Sequence, residues 1–176
     1  EFGAVHILDE DGRALPAGLS LDPDLTWLIV VRLAEIVDDE RVIDQALERD
    51  PSAAGRVHAA RARAGLPSAA AKQTAWAALV EPSELPASEL YAVARGFFRP
   101  GQTELTAAYL PRFFAEMPLT AALRSGWALG QVVSDAFPLS HATRATLELA
   151  EAALATDLAA PVRRSKSHRS GSTDPS

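Results

Sequence analysis

The residues of this chain best suited to bind a metal or move a proton near neutral pH are four histidines, His6, His58, His141 and His168. A zinc hydrolase sets two imidazoles one helical turn apart with a carboxylate beside the first, so that a metal-bound water and its general base converge. None of the four has a second histidine at i+3 or i+4. They read as surface or internally satisfied side chains. The chain has no cysteine, which removes thiolate ligands and thiol nucleophiles alike. No G-x-S-x-G elbow exposes a serine, and Gly18-Leu19-Ser20 reads as a loop. Phosphate cradles of the G-x-G-x-x-G or G-x-x-x-x-G-K-[ST] kind are missing as well. No catalytic, cofactor-binding or metal-binding residue is assigned.

Carboxylates gather at Asp9-Glu10-Asp11 and Asp38-Asp39-Glu40. At turns and helix starts such runs serve as solvated caps favoured by the helix dipole, which is the preferred reading over calcium loops or acid/base pairs. A candidate interaction surface consists of Arg56, Arg61 and Arg63, which give the third helix a cationic side able to grip a partner carboxylate, with Phe98 and Arg99 near the turn that follows the fifth helix. The blander reading is a solvated helix face for the arginines. For the aromatic group Phe97, Phe98, Tyr109, Phe113, Phe114 and Trp127, helical spacing favours core packing.

These residues must be positioned by helices. At 176 residues and 48% hydrophobic, the chain can bury one compact core, and alanine and leucine outweigh β-branched residues. No apolar run approaches the roughly 20 residues that span a bilayer, and Glu1-Phe2-Gly3 opens no secretory signal, so no membrane role is expected. The lack of cysteine suits a reducing compartment, with the cytoplasm as default. Net charge is −6, while the stretch from Pro161 onward concentrates Arg163, Arg164, Lys166 and Arg169. An acidic body offers phosphates no basic face, so no nucleic-acid partner is expected.

Three regions follow. Residues 1–20 form an extended segment or hairpin, from the alternation at Val5-His6-Ile7-Leu8 and the Asp11-Gly12 turn step. Residues 21–160 form the helical domain, and residues 161–176 a polar tail without periodicity, expected to be disordered and of foreign origin. Asp22-Pro23 opens a helix over 24–37 that is apolar nearly all round and so buried. A second runs over 39–49. Asp50-Pro51 opens a third to Arg63, and Ser68 caps a fourth carrying Ala75, Trp76, Leu79 and Val80 on one stripe. Ser88 caps a fifth.

After the turn at Arg99-Pro100-Gly101-Gln102, one helix carries Leu105, Tyr109 and Phe113 with a bend near Pro111, and Pro118 closes it. The next holds Leu123, Trp127 and Phe137, with Gly126 and Gly130 suggesting close packing. Ser140 caps the last, where Leu147, Ala150, Leu154 and Leu158 keep one apolar face. The expectation is an all-α fold of about eight antiparallel helices. Paired starts near Pro23, Pro51, Ser88 and Leu119 recur at roughly 30 to 36 residues, which favours a solenoid-like, HEAT-like array of helical hairpins over a globular bundle.

Several stretches in one order resemble the C-terminal helical domain of actinobacterial aminopeptidase N, of the gluzincin zinc aminopeptidases. They include Leu8 to Leu19, Asp22-Pro23-Asp24-Leu25-Thr26-Trp27, Arg32-Leu33-Ala34, Glu48 to Gly55, and His58 to Arg63. Lys72, Ala75-Trp76 and Gly96-Phe97-Phe98-Arg99-Pro100-Gly101-Gln102 continue the match, which covers about residues 5–160. The resemblance implies a superhelical, non-catalytic domain that covers the active-site chamber of its parent and supports substrate access and stability. It places the zinc, its ligands and the general base in the parent's catalytic domain, which would be this chain's partner. Two departures are the featureless stretch from Ser165 to Ser176 and Glu1-Phe2, which reads as a cloning scar. An excised domain exposes its former docking face and is expected to self-associate. The competing expectation is a stand-alone helical scaffold that binds a protein or peptide.

Overall fold

In a computed structural model of the chain, the described residues are 22–155. The hairpin expected in 1–20 and the tail in 161–176 lie outside them. Among the described residues there are nine α-helices, two 3₁₀ turns and no strand, so the fold is all-α. No described helix is long and apolar enough to cross a membrane.

Helix α1, Pro23–Ala34, begins with proline at its first position, where a missing N–H costs nothing. It is not buried all round. Trp27, Val30, Val31 and Ala34 face inward at i, i+3, i+4 and i+7, whereas Leu25 and Leu28 are exposed, so the Leu28 to Val31 run straddles two faces. Helix α2, Arg41–Arg49, buries Ile43 and Ala46 against it. Helix α3, Ala53–Gly65, is capped by Ser52, whose hydroxyl accepts from Gly55 N at 3.0 Å. The expected cap, Asp50, lies too far upstream and instead accepts a bond from Trp27 Nε1 at 2.8 Å.

Helix α4, Ala69–Val80, starts from the expected cap Ser68. Helix α5, Ala87–Phe97, starts one residue before Ser88, with Pro86 as N-cap. The single bent helix expected next is two, α6, Thr103–Thr106, and α7, Tyr109–Glu116. The break falls before Tyr109, which leaves Pro111 in the first turn of α7, where it removes no intrahelical bond. Pro118 sits inside a 3₁₀ turn, Met117–Ala122. Helix α8, Gly126–Asp135, is capped by Ser125, and Leu123 and Phe137 fall outside it. Ser140 lies in the 3₁₀ turn Leu139–His141, and Thr143 accepts from Thr146 N in the first turn of α9, Arg144–Ala155.

Helix α3 is the hinge of the core, because its small residues face two clusters. Ala59, Ala62 and the following Leu66 join Trp27, Val30, Val31 and Ile43 on one side. Ala64 joins Trp76, Leu79, Val93, Phe97, Phe113, Met117 and Val132 on the other. Helix α3 touches α1, α2, α4 and α5, and α5 reaches on to α4 and α8. The odd helices α1, α3 and α5 thus form a row backed by α2 and α4.

Its tightest crossing is at Gly96, where an added Cβ would lie 2.3 Å from the Arg61 carbonyl oxygen. The close packing expected at Gly126 and Gly130 does not occur, since nothing stands within 4 Å of a Cβ at either.

Candidate functional site

Three helix ends meet at one place. The last carbonyls of a helix have no partner within it and carry the negative end of its dipole, so a buried end needs remote donors. Gln102 Nε2 donates to the carbonyl of Glu35, at the end of α1, at 3.1 Å and to that of Gly65, the last residue of α3, at 2.8 Å. Lys72 Nζ donates to the carbonyls of Ala64 at 2.6 Å and Phe97, the last residue of α5, at 3.0 Å. Two side chains therefore tie the row together at its carboxyl ends.

The local sequence explains both. Lys72 occupies the inward stripe of α4, three residues before Ala75 and four before Trp76, and it is completely buried. Burial pushes its ammonium down to about 8, the Arg99 charge acts in the same direction, and Glu35 opposes them. Gln102 is returned to the helix ends by a tight turn in which its N–H bonds the Arg99 carbonyl at 3.2 Å. Gly101 adopts φ +84°, a left-handed conformation that glycine takes without cost.

Around this knot stand four guanidinium groups and two carboxylates. Glu35 takes Arg99 at 2.6 Å, an ion pair lying off the hydrogen-bonding direction, and Arg32 at 2.9 Å. Arg95 lies 3.5 Å from Asp135. Arg61 is half-buried, makes no hydrogen bond or ion pair among the described residues, and has its Nε shut off from solvent. Burial first, then the charges of Arg99, Arg95 and Arg32, hold its guanidinium below the usual arginine range, with Glu35 opposing.

On another face of α3 a cleft of about 630 Å³ has an alanine floor that includes Ala60, Ala64, Ala71 and Ala75. Arg56 and Arg63 stand on its wall, separated by two helical turns. Both are already engaged. Arg63 pairs with Glu40 at 2.8 Å and Asp44 at 2.6 Å, while Arg56 meets Glu89 at 3.5 Å and the Pro51 carbonyl at 2.9 Å.

No such arrangement resembles a reactive centre. His58 stacks on Trp27 with ring centroids 5.6 Å apart, and His141 Nε2 lies 2.8 Å from Thr106 Oγ1 in the core. Among the described residues no three imidazoles or carboxylates gather at ligand spacing. Comparison with known families decides what the geometry leaves open, because the model of the ERAP1-like C-terminal domain family matches residues 6–168. The chain belongs to that family. A curated relative is Aminopeptidase N of Streptomyces lividans, 38% identical over 147 residues that make up 83% of this chain. The chain spans only 17% of that relative's length.

In this ERAP1-like domain the five residues of the expected interaction surface do not form one surface. Arg56 and Arg63 face the cleft, and Arg61 and Arg99 face Glu35, because five residues of helix rotate a side chain to a different face. Phe98 is a correction. It is buried, edge-on to Phe97 at 4.8 Å and to Phe113 at 6.2 Å. Trp127 departs from the expected aromatic core in the opposite sense, being 75% exposed.

Lys72 and Gln102 went unassigned in the sequence. A lysine set on an otherwise apolar stripe at i, i+3, i+4 and i+7 was the available signal for the first. For Gln102 no local signal existed, since its partners are 37 and 67 residues away.

Proposed function

We propose that this chain is the non-catalytic C-terminal domain of a zinc aminopeptidase, covering the active-site chamber of its parent and supporting substrate access and stability there. The family match over residues 6–168 carries the reading. The likeness to a short part of a much longer Aminopeptidase N supports it, since a domain of that size leaves the rest of such an enzyme to hold the metal and its ligands. The row α1–α3–α5, backed by α2 and α4, suits a solenoid-like array that presents a continuous face to a neighbouring domain. Its docking partner is then the parent's catalytic domain. Large apolar side chains bare in the chain by itself, Trp127, Leu139 and Leu154 among them, suit a covered face in the parent and favour self-association without it.

Calorimetric titration of the purified chain into the zinc-bearing remainder of its parent tests this. The expected result is saturable binding accompanied by a rise in kcat/KM for peptide substrates. A stand-alone scaffold would instead leave that remainder unbound and its kinetics unchanged.

A further inference from the structure

The knot at the helix ends contains more positive charge than the described residues neutralise. Two buried side-chain polar atoms here, Arg61 Nε and Gln102 Oε1, have no partner among the described residues, whereas Glu35 Oε1 and Arg99 Nε face each other in their 2.6 Å ion pair. Buried polar groups are almost always satisfied, so a guanidinium nitrogen left without an acceptor beside surplus positive charge marks a place that a ligand can fill. Arg32 comes from α1, Arg61 from α3 and Arg95 from α5, which sets one guanidinium on each helix of the row. Arg99 follows α5 after the C-cap residue Phe98. Against these four stand Glu35, already shared by Arg32 and Arg99, and Asp135, held loosely by Arg95.

Arg61 is the group left over. Its side chain is half-buried with the Nε shut off from solvent, so it is held more firmly than a surface arginine. Like charges bear on it from Arg32, Arg95 and Arg99. A guanidinium presents a fixed fork of donors matched to a planar, acceptor-only oxyanion.

We propose that Arg61, flanked by Arg32, Arg95 and Arg99, is a binding site for a carboxylate. A carboxylate there would accept from Arg61 and offset the repulsion among the four cations. This inference concerns the chain alone and holds whatever enzyme the domain serves.

The test follows the Arg61 Nε–Hε resonance of the whole chain while N-acetylglycine is added, with the uncharged N-acetylglycinamide in parallel. The site predicts a saturable shift for the acid and none for the amide. Arg61→Gln should weaken binding of the acid, followed by calorimetry, by roughly tenfold or more, the scale of one charge-assisted hydrogen bond. Arg95→Gln, which removes a neighbouring charge but leaves the Arg61 fork that holds the carboxylate, should weaken it severalfold. Arg63→Gln, across the helix and engaged by Glu40 and Asp44, should leave it unchanged.

N-acetylaspartate N-methylamide distinguishes the source of the carboxylate. Tighter binding of this probe marks an acidic side chain as the natural occupant, and tighter binding of N-acetylglycine marks a chain terminus. No saturable shift, an equal response to the amide, or unaltered affinity in Arg61→Gln would each overturn the site.

Discussion

At the scale of single residues, the fold depends on polar side chains placed where apolar ones would be expected. Lys72 is the clearest. Its ammonium is taken out of water, and two carbonyls at helix ends with partial negative charge keep it there. The neutral amine still has two N–H groups, so both bonds survive loss of the proton. With the folded pKa at about 8 against 10.5 for a free lysine, the folded state releases its proton first as pH rises. Between these values the unfolded chain binds more protons, so stability rises with pH across that window and is flat below it. Urea unfolding of the wild type and Lys72→Met at pH 7 and pH 10.5 should show the wild type gaining on the variant by up to about 3 kcal/mol. A constant difference would contradict a depressed lysine. This position was legible in the sequence as a charge on the inward stripe of α4. The identity of its partners was not, because Ala64 and Phe97 contribute backbone carbonyls, which any residue type supplies equally.

At the scale of elements, turn and cap chemistry set the helices, and packing corrected their limits. Ser68 caps α4 as its sequence position suggests, whereas α3 starts from Ser52 because Asp50 is drawn to the Trp27 indole, a contact 23 residues distant. The ends are tied by remote donors. Arg124 repeats for α4 what Lys72 and Gln102 do elsewhere, donating to the Leu79 and Ala78 carbonyls at 2.6 and 3.2 Å. Glycine content misled in one direction only. Gly126 and Gly130 read as packing positions, but the crossing belongs to Gly96, and nothing local separates the two cases. Gly96→Ala should therefore lower stability by about 1–3 kcal/mol, since backbone must move to admit the methyl. Gly130→Ala, in the open middle of α8, should raise it by about 0.5–1 kcal/mol through helix propensity. Thermal unfolding of both variants checks the pair, and a stabilising Gly96→Ala would contradict the α3–α5 contact.

At the scale of the whole molecule, class and order of elements were readable because capped, periodic helices announce themselves locally. The division of the five candidate surface residues among a cleft, a charged knot and the core was not readable, since it depends on which face of α3 meets which neighbour. Two clusters sharing one alanine-rich helix give the domain its continuity. Lys72 and Gln102 serve helix ends, and the chain resembles a portion of a far longer Aminopeptidase N. In the proposed parent enzyme, the chemistry belongs to a partner domain. This can be checked by incubating the purified chain with zinc and an aminoacyl reporter substrate, then measuring bound metal and release of the reporter with and without chelator. No release above the blank and no stoichiometric zinc are expected. Chelator-sensitive release by the chain alone would contradict it.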